Sequence, residues 1–142
     1  MILKIKGFTL IELLVVVTII GVLSVVGIPK LLQAINRAKL STAKSDIANL
    51  NKSLGLYSVE VSTGRFPIYP AESKIKTSLS VISPTFMESL PKGPYETDND
   101  EGYAYKYISS SGLDYTLSVM LKDDKRIFTL IYSSNNNMFN ED

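Results

Sequence analysis

The residues able to do chemistry in this chain are few in kind. None of its 142 residues is His or Cys, so the commonest general base, the strongest nucleophile and any thiolate metal site are missing. Catalysis would have to run on carboxylates, Lys, Ser or Tyr, and these form no convergent pattern, which speaks against an enzyme. One carboxylate stands apart: Glu12 is the only charge in the apolar run of residues 8–28. A charge in hydrocarbon costs about 2.5–3.5 kcal/mol even on lenient insertion scales, so Glu12 needs a cationic partner. A second acidic group, "ETDNDEG" (96–102), brings together Asp98, Asp100 and Glu101, oxygen donors of the kind Ca²⁺ takes. It lacks the full spacing of a calcium loop, and a solvated acidic turn is the simpler reading; no cofactor is required. Tyr95, Tyr103, Tyr105, Tyr107 and Tyr115 could make a sticky surface or an electron-carrying stack, but aromatics alternating along a strand point to sheet packing.

The elements that must position these groups follow from composition. With 45% hydrophobic and 20% charged residues, the chain is one domain plus whatever the apolar run adds. A net charge of +1 offers no broad polyanion-binding surface, so no nucleic-acid partner is inferred. Residues 1–7 are a short basic leader carrying Lys4 and Lys6 and ending in Gly7. The 21 residues of 8–28 would make about 31 Å of helix, matching a hydrocarbon core of about 30 Å. Gly21, Gly27 and Pro29 lie close together near its end, where each Gly costs about 1 kcal/mol relative to Ala and an interior Pro about 3 kcal/mol. A plain anchor gains nothing from weakening its own span.

Beyond Pro29 the chain turns polar while helical periodicity persists. Ala43, Ile47, Leu50, Leu54, Tyr57 and Val61 fall on one stripe, with Lys44, Asp46, Asn49, Lys52 and Ser53 on the other faces. Gly64 and Pro67 stop the helix near residue 62, so it is expected to run from 8 to 62, apolar over 8–29 and amphipathic over 30–62. Residues 63–142 read as an α+β head. After a Pro-rich loop come three strand-like segments, 103–109, 114–121 and 126–132, joined by turns at 110–112 and 122–125. They predict a three-stranded antiparallel meander covered by the helical stripe, followed by a polar, mobile tail, "SSNNNMFNED".

Two simple readings of residues 1–28 fall short. A removable secretory signal has a shorter apolar stretch and a small-residue cleavage site that is absent here. A plain anchor explains the length, but neither Glu12 nor the Gly between leader and apolar run.

The stretch "KGFTLIELLVVVTIIGVL" resembles the class III signal of type IV prepilins and type II secretion pseudopilins: basic leader, Gly at the cut, an aromatic, Thr-Leu-Ile-Glu, then the hydrophobic helix. The resemblance implies cleavage between Gly7 and Phe8 by a prepilin peptidase, methylation of the Phe8 amine, and assembly through Glu12. The new ammonium of Phe8 would partner Glu12, on a neighbouring subunit or within the same chain. The segment between Gly21 and Pro29 would lose helical structure in the assembled filament. Implied partners are identical or homologous subunits, the inner-membrane assembly machinery and, before assembly, membrane lipid. The expected product is a subunit of a type IV pilus-like filament or a secretion pseudopilin, with a membrane-anchored binding protein as the third reading. The cations Lys30, Arg37, Lys39 and Lys44 outnumber Lys4 and Lys6, contrary to the positive-inside rule, but the motif outweighs them and the head is expected outside the cytoplasmic membrane. Past residue 30 the resemblance loosens: "STGRFP", "SLPKGPY" and "DYTLSVML" are similar to pilin-like heads, while a C-terminal Cys pair and the Asp-Pro-Trp-Gly stretch of major pseudopilins are absent.

Overall fold

The computed structural model describes residues 7–97, 101–123 and 126–142. It divides into two compact units, Met1–Ile35 and Asn36–Asp142.

The first element, α1, is a single helix over Leu10–Glu60, two residues shorter at each end than the periodicity predicts. It continues through Gly21, Gly27 and Pro29, although Pro29 cannot donate its backbone hydrogen bond. The stop falls where expected. Thr63 and Gly64 adopt positive φ, and Gly64 N donates to Ser58 O at 2.6 Å, a left-handed cap that closes the last turn.

In the second unit, α1 presents Ala43, Ile47, Leu50 and Leu54, all 0% exposed, to the core. Burial of Ile47, Leu50 and Leu54 contributes about 1.5–3 kcal/mol each. Two positions differ from the expected stripe. Val61 lies beyond the helix end and is 60% exposed, while Ser53, assigned to an outer face, is buried. Ser53 satisfies its hydroxyl at Asn49 O and Phe86 O, so a small polar group fits where the Phe86 segment comes close.

The sheet has five antiparallel strands in the order β1-β2-β3-β4-β5: β1 Tyr69–Lys74, β2 Lys106–Ser109, β3 Thr116–Lys122, β4 Ile127–Ser133 and β5 Met138–Glu141. The central three correspond to the expected meander. The edge strands correct it: the Pro-rich loop contains β1 and a short helix, α2 (Ile75–Ser78), and the segment expected as a mobile tail returns as β5, pairing Leu130 with Glu141 and Ser133 with Met138. Leu117, Val119 and Leu121 of β3 and Phe128, Leu130 and Tyr132 of β4 join the helical stripe in one core, to which Ile75, Leu79 and Ile82 also belong.

Tyrosines pin this core at its polar edges. Tyr105 donates to Asp46 Oδ2 at 2.8 Å and Tyr115 donates to Asn51 Oδ1, both joining the sheet side to α1. Tyr107 donates to Pro67 O at 2.7 Å. Their rings are buried, and Tyr107 stacks on Tyr115 with centroids 5.7 Å apart, so the aromatic alternation serves packing. Gly93 marks a close backbone approach: a Cβ there would sit 1.8 Å from Tyr103 O.

Candidate functional site

The N-terminal site is built on the first turn of α1. Thr9 precedes the helix, and its backbone N–H and hydroxyl both donate to Glu12 Oε2, at 2.9 and 2.7 Å. In return Glu12 N donates to Thr9 Oγ1 at 3.3 Å. This reciprocal pair is a capping box, which satisfies donors that a helix start leaves open and is worth about 1 kcal/mol. The carboxylate also sits at the positive end of the helix dipole. Thr9 was missing from the candidate residues, although Thr-x-x-Glu ahead of an apolar run is the sequence signature of such a cap.

Glu12 itself remains exposed, as does Phe8 at 77%. From Leu10 to Ile35 every large apolar side chain of the helix is solvent-facing, and the helix is long and apolar enough to cross a membrane. Its polar groups fit that surrounding: Thr18 donates to Leu14 O and Ser24 to Ile20 O, each at 2.7 Å, so both hydroxyls are satisfied within the helix. Gly7 lies just outside the helix, and a Cβ at Gly7, Gly21 or Gly27 would meet nothing. Space therefore does not require glycine at these positions.

The other candidates separate. Lys4 and Lys6 of the leader, and Asp98 and Asp100 with the side chain of Glu101, lie outside the described residues. Among the described residues no group of three or more acidic side chains converges as a metal site would require. Glu72, absent from the sequence candidates, holds an ion pair with Lys106 at 3.1 Å and accepts from Ser118 at 2.9 Å. Partial burial works against its charge, but Ser118 and Lys106 outweigh this and hold the carboxyl below its usual value. This tie links β1 to β2 and β3 and serves the sheet. The phenols of Tyr105, Tyr107 and Tyr115 are pushed up chiefly by burial, Tyr107 to about 12; the Asp46 carboxylate adds to the effect at Tyr105.

Residues 2–28 match the prokaryotic N-terminal methylation motif. With the long helix and small antiparallel sheet, that motif defines a prepilin-like protein of pilin-like architecture. Three relatives sharpen the assignment, each a type II secretion system core protein G. The protein of Vibrio cholerae serotype O1 is 32% identical over 117 residues, covering 75% of this chain and 72% of the relative. That of Pseudomonas aeruginosa is 39% identical over 110 residues, 73% of each chain. That of Pectobacterium carotovorum is 30% identical over 101 residues, 66% of this chain and 64% of the relative, just under two thirds of its length. The chain belongs to the type II secretion system core protein G family. No solved structure matches it significantly.

Proposed function

We propose that this chain is a structural subunit of a type IV pilus-like filament, and specifically of the pseudopilus of a type II secretion system. Residues 1–7 are the leader, removed by prepilin peptidase after Gly7, and the freed amine of Phe8 is methylated. Residues 8–29 hold the subunit in the cytoplasmic membrane and then pack into the filament core. Residues 30–62 carry the amphipathic half of the helix, and 63–142 form the head outside that membrane. The subunit does mechanical work through its partners, the related subunits and the inner-membrane machinery that assembles them, and no reaction is assigned to it. The methylation motif and the three relatives support this reading.

The observation that carries the mechanism is the position of Glu12. Glu12 lies four residues after Phe8, exposed in an otherwise apolar stretch, and both capping bonds fall on Oε2 alone. Cleavage after Gly7 makes Phe8 an ammonium, and methylation keeps its charge. Two unpaired charges in an apolar layer each cost several kcal/mol, and pairing offsets much of that. A neighbour's ammonium meeting Glu12 would fix the stagger between adjacent helices.

A capping role alone would explain Glu12 as well, and one substitution separates the two. Glu12→Gln preserves the cap, since Gln serves in a capping box, but removes the charge. Filament yield should fall at least tenfold in Glu12→Gln while leader removal, read by intact mass, stays normal. Normal assembly of Glu12→Gln would refute the charge pairing and leave only the cap. An assembled wild-type chain with all 142 residues, in place of the 135 that remain after Gly7, would refute the processing itself.

A further inference from the structure

The apolar run starts at Phe8, and its composition alone would let the helix start there too. It does not: Gly7, Phe8 and Thr9 are outside the helix, α1 begins at Leu10, and both Gly7 and Phe8 are exposed. The junction between leader and apolar run is therefore the first non-helical peptide ahead of a long helix. That matters for a peptidase. A helical carbonyl is committed to an amide four residues on, and the turn around it crowds any approach, so a bond is cut far more readily outside a helix than within one.

What stops the helix is a competition for two amides. In a longer helix Phe8 O would accept from Glu12 N, and then Gly7 O, the carbonyl of the Gly7–Phe8 bond, would accept from Ile11 N. Here Glu12 N donates to Thr9 Oγ1 at 3.3 Å, so the Thr9 hydroxyl takes the amide that Phe8 O would need. The Thr9 N–H, which a longer helix would send to a carbonyl upstream, is held by Glu12 Oε2 at 2.9 Å. Thr9 O in turn accepts from Leu13 N at 3.3 Å and opens the helical ladder. Gly7 adds a second barrier: glycine resists helix propagation, and no neighbour occupies the space a side chain there would take.

We infer that Thr9 is a positioning residue for leader removal: its cap fixes the helix start at Leu10 and so keeps the Gly7–Phe8 bond non-helical and open to the peptidase. The inference rests on the proposed cleavage after Gly7 and adds to it a required backbone state at the cut. It also separates two roles of Glu12. Leader removal depends on the cap, which Gln at position 12 preserves, whereas assembly depends on the charge, which Gln removes.

The test uses the full chain of 142 residues in phospholipid vesicles with purified prepilin peptidase, and follows loss of residues 1–7 by intact mass over a range of substrate concentrations. Thr9→Ala and Thr9→Val, which cannot cap, should lower kcat/KM about fivefold, the usual scale of a lost N-cap. The change should fall on KM, because only the non-helical fraction of chains can bind. Thr9→Ser and Thr9→Asn cap as well as Thr and should be cut within about twofold of the wild-type rate. Carbon-13 shifts of the Gly7 and Phe8 Cα atoms should move toward helical values in Thr9→Ala and stay in place in Thr9→Ser. A wild-type chain that is not cut after Gly7 overturns the processing reading and this inference with it. A wild-type chain cut after Gly7, with Thr9→Ala and Thr9→Val cut equally fast, overturns the inference alone. So does a normal rate for Thr9→Val beside slow Thr9→Ser and Thr9→Asn, since the peptidase would then read the shape of the side chain. Unmoved shifts in Thr9→Ala overturn it whatever the rate.

Discussion

Raising the pH should destabilise the head through its buried tyrosines. Tyr105 and Tyr107 are 0% exposed and Tyr115 3%, and burial pushes all three phenols up from an ordinary value near 10. Below about pH 10 both folded and unfolded states keep these protons, so stability does not change with pH on their account. Above it the unfolded chain releases protons that the folded chain retains, and stability falls. At about pH 11 each phenol contributes a loss of about 1.4 kcal/mol, one pH unit past the unfolded value, and the three together about 4 kcal/mol. That is a large share of the roughly 5–15 kcal/mol typical of a domain. Urea unfolding followed by circular dichroism at about pH 9 and about pH 11, with tyrosinate absorbance read in parallel, measures both halves of the argument. The expected result is a midpoint lowered by the equivalent of about 4 kcal/mol, with tyrosinate from the buried phenols appearing only as the chain unfolds. Equal midpoints, or all eight tyrosines titrating near pH 10 before any loss of structure, would refute it.

Three further outcomes are expected. Gly93→Ala drives a methyl to 1.8 Å from Tyr103 O, a backbone atom that cannot step aside cheaply, and should cost about 3 kcal/mol or more in the same urea assay; a near-neutral Gly93→Ala would show that the approach is not as close as described. Tyr105→Phe removes the 2.8 Å bond to Asp46 and should cost about 1.5 kcal/mol, the low end for a bond to a charged group because Asp46 is only half-buried; a double-mutant cycle with Asp46→Ala, which removes the acceptor, should give a coupling of similar size. In the assembled filament the stretch between Gly21 and Pro29, helical in this structure, should be locally unwound, and regular helical density there in a filament map would contradict this.

The legible parts of the fold were those with a strong local rule. The Ala43, Ile47, Leu50, Leu54 spacing specified the buried face of α1, and Gly64 its end, because both follow from helix geometry. The edge strands were hidden by their own exposure. All four residues of β5 are solvent-facing, so "MFNE" shows no apolar alternation, and β1 contains Pro70, which argues against a central strand but is tolerated at an edge. Ser53 depends on where Phe86 lies, and Gly93 on Tyr103; contacts between distant segments leave no local pattern. At the N-terminal site, Glu12 stood out by its cost in lipid. Its bond to Thr9 is written in the same four residues as a Thr-x-x-Glu cap, a local signal that the cost of the charge in lipid does not reveal.

The central claim is that Glu12 pairs with the amine that cleavage creates on a neighbouring subunit. A reconstruction of sheared filaments, at a resolution that shows side chains, tests it most directly. The account predicts density beginning at Phe8, packed apolar helices at the filament axis, and the Glu12 carboxylate within about 4 Å of the Phe8 nitrogen of an adjacent subunit, the range of an ion pair. Density that continues through Gly7 into the leader, or a Glu12 carboxylate that reaches only Thr9 or Phe8 of its own chain, would contradict it.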